Sequence, residues 1–294
     1  MSQSVSITSL FIYPVKSCAP VAVSSLVFDR DGPVGDRRFV ITTPEGDFLT
    51  QREHPQMASI QPHGSGASNE PDATELWLSH EGQSSPCVSL PLSGEPVRVR
   101  VWGDEVTGID AGDEIAEWLT VIIGTPCRLR GLPMVNARRA DTKYAPADTG
   151  VAYADGFPVL VINQSSLDAL SEHADTHVDV ARFRANVVVE GVSHDAGEGN
   201  SEDVAKGVVE AFSELRWQRL IAHNDQRDTL TMVKPCERCV IPTRDPITQI
   251  STPAVTKALV ALCRPDKKIL FGQNAVFSGE SLSVGEVLEV DSSD

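Results

Sequence analysis

The sequence predicts a mainly β chain of the α+β class, with barrel-like β domains and a few helices packed outside them. Three observations carry this prediction. Short runs rich in Val, Ile and Phe recur along the chain, turn-forming Gly, Pro and Asp clusters interrupt them, and only three segments carry helix signals. No internal repeat is present. The 294 residues are 41% hydrophobic and 22% charged, which excludes global disorder and is long enough for two domains.

In chain order, Val5–Tyr13, Val21–Phe28 and Arg38–Thr43 read as strands. The turn signal Pro44-Glu45-Gly46-Asp47 joins the third of these to Phe48-Leu49-Thr50 as a hairpin. Gly64–Asp72 reads as a mobile loop, and Glu75–His80 and Val97–Val101 as further strands. Ile115, Trp118, Leu119 and Ile122 fall on one face of a helix from Asp113 to about Ile123. The polar segment Met134–Asp148 suggests a boundary, with residues 1–130 and 131–294 as the two domains. Phe157–Ile162 reads as a buried strand, followed by a helix capped by Ser165 or Ser166 and carrying Leu167 and Leu170. Asn186–Val189 is a strand, His194–Asp203 a surface loop, and Thr252 to about Cys263 a helix ended by Pro265. Ile269–Phe277 and Leu282–Val290 close the chain as strands.

Lys and Arg total 25 against 41 Asp and Glu, a net charge of −16. That field repels phosphate backbones and argues against a nucleic-acid binder, although a local basic pocket remains compatible with it. No apolar run approaches the roughly 20 residues needed to span a bilayer. The first residues lack a basic stretch followed by an apolar one, so no signal peptide is expected. Six scattered cysteines, Cys18, Cys87, Cys127, Cys236, Cys239 and Cys263, do not form a disulfide framework, and a reducing cytoplasm is the expected location.

Lys234-Pro235-Cys236-Glu237-Arg238-Cys239 is the most informative stretch. A zinc site would need a second ligand pair, for which His173-x-x-x-His177 is a weak candidate. A thioredoxin-like pair would open a helix, which Pro242 and Pro246 oppose. A single thiolate favoured by Lys234, Arg238 and Arg244 would bind a soft metal or act as a nucleophile. Two buried loop cysteines are the bland alternative. Spacing alone leaves these open.

The surrounding residues resemble the MOSC-domain family in its long form, with an added N-terminal β-barrel domain and with amidoxime-reducing members. The resemblance runs in order over nearly the whole chain. It begins with Tyr13-Pro14-Val15-Lys16-Ser17, Gly35-Asp36-Arg37-Arg38-Phe39, Leu49-Thr50-Gln51-Arg52-Glu53-His54-Pro55 and Val101-Trp102-Gly103-Asp104. It continues through Asp155-Gly156-Phe157-Pro158, Ser166-Leu167, Arg182-Phe183-Arg184-Ala185-Asn186, the cysteine motif, Thr243-x-Asp245-Pro246 and Phe271-Gly272-Gln273-Asn274.

The resemblance implies a molybdenum–pyranopterin cofactor between the two domains, with Cys239 ligating molybdenum beside the cofactor's two dithiolene sulfurs. It further implies cofactor contacts from Lys16, Ser17, Arg37, Arg184 and Asn186, whose charges and donors suit a phosphate and a pterin edge. Asp155, Arg238 and Asn274 join that set, and Arg52 faces the cofactor or an oxyanionic substrate. Asp245 is a candidate for proton supply or for holding the metal loop, Cys236 is structural, and Trp102 and Trp118 read as core. Three departures from the family pattern are Glu237 in place of a small serine, Arg244 in place of an apolar residue, and Gln249 in place of a turn glycine.

The implied activity is reduction of N-hydroxylated compounds with electrons from a separate donor protein. No C-x4-C-x2-C iron–sulfur pattern occurs before Asp294, so that donor is expected to be another chain. A cofactor carrier or persulfide-carrying protein using Cys239, without turnover, is the alternative.

Overall fold

The computed structural model describes residues 3–133, 138–192, 209–222, 228–265 and 267–292. Its centre is a closed barrel of seven strands. Going round the barrel these are Gln3–Ile12, Val187–Val192, Val159–Asn163, Leu270–Ser278, Thr229–Glu237, Trp217–Ala222 and Val287–Ser292, which pairs with Gln3–Ile12 again. Closure leaves no strand edge free to template aggregation. All neighbours are antiparallel except Val159–Asn163 with Val187–Val192, and a parallel pair needs a crossover. Helix α2, Gln164–Ala174, begins that crossover.

Alternation along Val159–Asn163 explains its continuous apolar sequence. Val159 and Val161 join the barrel interior with Val5, Ile7 and Leu220, while Leu160 and Ile162 point outward beneath the helices. There Leu167 and Leu170 of α2 meet Val255 and Leu259 of α3, Pro253–Leu262. With both faces covered, every residue of the strand is buried.

The barrel takes its first stave from the far N-terminus, Gln3–Ile12, although the rest of its strands lie after residue 158. Ser25–Asp29 likewise pairs with Ser281–Ser283. Within the first 131 residues, Pro96–Val101, Asp104–Asp110, Arg128–Gly131 and Phe39–Thr42 form one sheet, and Gln61–His63 with Glu75–His80 begins another. Helix α1, Asp113–Ile123, buries Ile115 and Leu119 between them against Met57, Leu76 and Leu78.

Several expectations need correction. Asn163, not Ser165 or Ser166, caps α2 by accepting from the Ser165 amide at 3.1 Å. Val21–Phe28 and Leu282–Val290 are each broken in two, the latter around Gly285 at φ +87°. Phe48 makes only an isolated bridge to Thr42. Gly64–Asp72 is pinned rather than loose: Asn69 is buried and donates to the Val27 carbonyl, and Ser65–Ala67 forms a 3-10 turn. The segment after the expected boundary is anchored by buried Ala140, Ala145 and Val151. The loop expected at His194–Asp203 lies outside the described residues.

Candidate functional site

A cleft of about 900 Å³, counting its open mouth, lies between the barrel and the N-terminal sheets. Ten of the eleven residues that the family resemblance implicates converge on it: Lys16, Ser17, Arg37, Arg52, Asp155, Arg184, Asn186, Arg238, Cys239 and Asn274. Five of the cleft's lining side chains are cationic and only Asp155 and Glu237 are acidic, in a chain of net charge −16. The local field is opposite in sign to the molecule's and favours an anionic occupant.

The innermost wall is organised by Tyr13, at the end of the first barrel strand. The guanidinium carbons of Arg37 and Arg184 lie 4.3 and 4.2 Å from its ring centroid. Burial pushes the tyrosine hydroxyl up to about 12, so it stays neutral. Arg184 donates to the Cys18 carbonyl at 2.7 Å, while its other terminal nitrogen is buried without a partner. Burial, reinforced by Arg37, brings the Arg184 guanidinium down to about 10, which leaves it charged at neutral pH. Asp36 ties the wall together. It accepts from the Tyr13 amide at 2.7 Å, from Arg37 at 2.6 Å and from the Asn186 side chain at 3.2 Å. Its place depends on Gly35 at φ +79°, where a Cβ would sit 2.3 Å from the Ser68 carbonyl oxygen.

Asn186 occupies the implied position, but its amide is already engaged. It accepts from the Leu160 amide at 3.2 Å and from Arg37 at 3.3 Å, and it donates to the Phe11 carbonyl and to Asp36. Asn186 therefore positions Arg37 rather than offering a free edge. Asn274 donates to the Lys234 carbonyl at 3.1 Å.

Across the cleft, Lys16 donates to the Tyr153 carbonyl at 2.8 Å and pairs with Asp155. Burial lowers the Lys16 ammonium from its ordinary value despite that partner. Asp155 feels burial in the opposite direction, but Lys16, Trp102 and Arg52 together hold its carboxyl well below the usual range.

Trp102, expected in the core, is 46% exposed at the cleft rim. It occupies the two-residue connection between Pro96–Val101 and Asp104–Asp110 at φ +55°. There its indole N–H donates to Asp155 at 3.2 Å, its ring meets Phe48 edge-on, and Arg52 lies 4.8 Å from its centroid. Trp118 does pack against the core that α1 shares with the N-terminal strands, with its indole nitrogen buried.

Cys239 is exposed, and Arg52 lies 3.6 Å from its sulfur. The thiol stands just past the end of Thr229–Glu237, a strand with two irregularities near Pro235. Cys236, on that strand, faces Arg238 at 2.9 Å, and Arg238 also donates to the Phe183 carbonyl at 2.7 Å. Glu237 is drawn aside by Lys268 at 2.6 Å and Lys234 at 3.8 Å, and the Lys268 hydrogen bond lowers its carboxyl below the ordinary range.

Asp245 does not line this cleft. It accepts from the Ile247 amide at 3.1 Å, the Thr248 amide at 2.8 Å and the Thr248 hydroxyl, and it pairs with Arg182 at 3.2 Å. Donation from Thr248 leads the causes that lower its carboxyl, so it holds a loop and is a poor proton source. Gln249 sits at φ +61°, the conformation in which a glycine was expected. Ser166 also lies outside the cleft, with its hydroxyl donating to the buried Glu214 at 2.8 Å.

Sequence reasoning missed Asp36, Gln51 and the exposure of Trp102. Gln51 lines the cleft with a buried amide nitrogen that has no partner. Asp36 and Gln51 both lie inside motifs quoted for the resemblance, which was the available signal.

The cleft suits an anionic group that brings its own metal. Buried nitrogens of Arg184, Arg238 and Gln51 are unpartnered donors on its walls. Among the described residues, no cluster of three or more His, Cys, Asp or Glu side chains could hold a bare ion. A metal at Cys239 would thus arrive already chelated, and thiolate is a soft ligand.

The family description "MOSC N-terminal beta barrel domain" matches residues 4–126, and "MOSC domain" matches residues 148–289. Mitochondrial amidoxime reducing component 2 of Bos taurus is 27% identical over 288 residues, covering 94% of this chain and 78% of that protein. Mitochondrial amidoxime-reducing component 1 of Homo sapiens is 27% identical over 290 residues, with the same coverage of each chain. Molybdenum cofactor sulfurase of Danio rerio is 29% identical over 311 residues, covering 98% of this chain but 34% of that protein. With both descriptions matched in order around one barrel and its cleft, the chain belongs to the MOSC-domain family, in the form that carries the MOSC N-terminal β-barrel domain.

Proposed function

We propose that the protein holds a molybdenum–pyranopterin cofactor in this cleft and reduces N-hydroxylated compounds such as amidoximes, hydroxylamines or N-hydroxylated bases, with electrons from a separate donor protein. The observation that carries the reading is one exposed thiol, Cys239, at the edge of a cleft with five cationic side chains and buried donors left unpartnered. When bound, the cofactor supplies two-electron chemistry in which the substrate N–O bond breaks, two electrons and two protons are taken up, and the oxygen leaves as water.

The chain's own residues bind and orient. Arg37, fixed on Tyr13 by Asp36 and Asn186, and Arg184, held over the same ring by the Cys18 carbonyl, offer charge to a phosphate or pterin edge. Lys16 and Ser17 extend that cradle, and Arg238 closes it beside Cys236. Cys239 is the protein's metal ligand. Arg52, between Cys239 and Trp102, is placed to contact a polar substrate at the mouth.

Replacing Cys239 by Ser is expected to abolish benzamidoxime reduction with dithionite-reduced benzyl viologen, while Cys236→Ser keeps most of it. Equal loss in both variants would point to a paired-cysteine site. A second reading, a persulfide or cofactor carrier, is favoured by the exposure of the Cys239 sulfur at the cleft edge. Cyanolysable sulfur on Cys239 in a chain without turnover would decide for it.

A further inference from the structure

We propose that the surface beside Cys239, formed by the loop of residues 244–252 and the exposed side of α3, is the docking face for an acidic electron-carrier protein. The proposal rests on the reading of the site given above and adds where its electrons enter.

The loop is held firmly. Asp245 accepts from the backbone of Ile247 and Thr248, Gln249 donates to the Pro246 carbonyl at 2.6 Å, and Arg244 bridges Ser251 across the stem. Yet this pinned turn lifts Ile247 to 80% exposure and Ile250 to 69%, with Val240 beside Cys239 at 49%. Single exposed aliphatics are common, but two isoleucines lifted on one ordered turn, a few residues after the exposed Cys239, make a small apolar patch.

The charge around the patch opposes that of the molecule. Residues 237–268 carry Arg238, Arg244, Lys257, Arg264, Lys267 and Lys268 against Glu237, Asp245 and Asp266, with Lys268 paired to Glu237, in a chain of net charge −16. Lys257, Arg264, Lys267 and Lys268 are exposed. Both ends of the α3 unit border the cysteine motif. The Thr252 amide donates to the Thr243 carbonyl at the loop's foot, and the Arg238 amide donates to the Ile269 carbonyl. Exposed aliphatic side chains followed in the chain by exposed lysines and arginine fit a partner whose acidic face surrounds its own redox group.

The test uses the purified full chain and the Ile247→Asp/Ile250→Asp variant, neither residue being part of the cleft. A plant-type [2Fe–2S] ferredoxin and a flavodoxin serve as acidic carriers, and binding is measured by surface plasmon resonance at low and high salt. The proposal expects the unsubstituted chain to bind at least one carrier in a salt-dependent manner and the variant to bind it at least tenfold more weakly. Viologen-driven turnover should be equal in the two chains. Equal carrier binding by both chains, or binding of neither carrier by the unsubstituted chain, would overturn it. So would loss in the variant of binding to phosphatidylglycerol vesicles with carrier binding intact, which would assign the face to a membrane. Absence of viologen-driven turnover in the unsubstituted chain would instead count against the reading of the site, while the binding comparison still decides the docking face.

Discussion

Ser17, Arg37 and Arg184 on the cleft wall and Trp102 at its rim all hold left-handed backbone, at φ +71°, +47°, +59° and +55°. Such conformations persist only where surrounding contacts fix them, and they gather at functional sites. Here the contacts are the Tyr13 ring under both arginines and the Asp155 carboxylate under the indole. Arg184→Lys is therefore expected to fold but to retain cofactor on the order of tenfold less well, because a single ammonium nitrogen cannot occupy both the position at the Cys18 carbonyl and that of the second, unpartnered guanidinium nitrogen. Pterin content after gel filtration measures this. At this scale Lys16, Arg37, Arg184 and Cys239 were legible because their motifs stand in order along the sequence. Trp102 was misread because a tryptophan between strands is ordinarily core, and its exposure follows from a turn that delivers it to residues 50 positions away. The saturation of Asn186 was hidden for the same reason, since its partners come from Phe11, Asp36 and Leu160.

Among the elements, α1 and α3 were legible from an apolar period and from Thr252-Pro253 at a helix start. The strand Thr229–Glu237 was not, because Pro235 and two irregularities break its alternation. The turn Ser213–Arg216 places Glu214 fully buried against α2, with one carboxylate oxygen accepting from Ser166 and the other unpartnered. Burial raises this carboxyl to about 7, above its ordinary value of 4.5. Between those values the folded chain binds more protons than the unfolded one, so stability falls as pH rises through the window. The full effect is on the order of 3 kcal/mol. Denaturant titrations at pH 5 and pH 8 should show this fall, and Glu214→Gln should flatten it. At the same end of α2, Asn163→Ala removes the cap and should cost about 1 kcal/mol, or more because the side chain also donates to the Glu210 carbonyl.

For the whole molecule, the β class was legible and the closure was not. Strand pairing joins Gln3–Ile12 to Val287–Ser292 and Val187–Val192 across almost the full chain length, and no local signal reports such a contact. Removing residues 1–12 would delete one stave and expose the edges of both neighbours. The truncated chain is expected to aggregate or to lose its cooperative thermal transition, although a cut at residue 130 would suggest an intact second domain. A monomeric, cooperatively melting fragment of residues 131–294 would contradict the integrated barrel.

The central claim, that the cationic cleft beside Cys239 holds a chelated molybdenum group, meets its most direct test in the composition of the purified protein. The chain would be expressed in a host competent for molybdenum-cofactor synthesis, then examined by elemental analysis and pterin fluorescence. Molybdenum and pterin, each stoichiometric with the chain and both lost in Cys239→Ser, is the predicted result. Stoichiometric zinc with no pterin would contradict it and return the two cysteines to a simple metal pair.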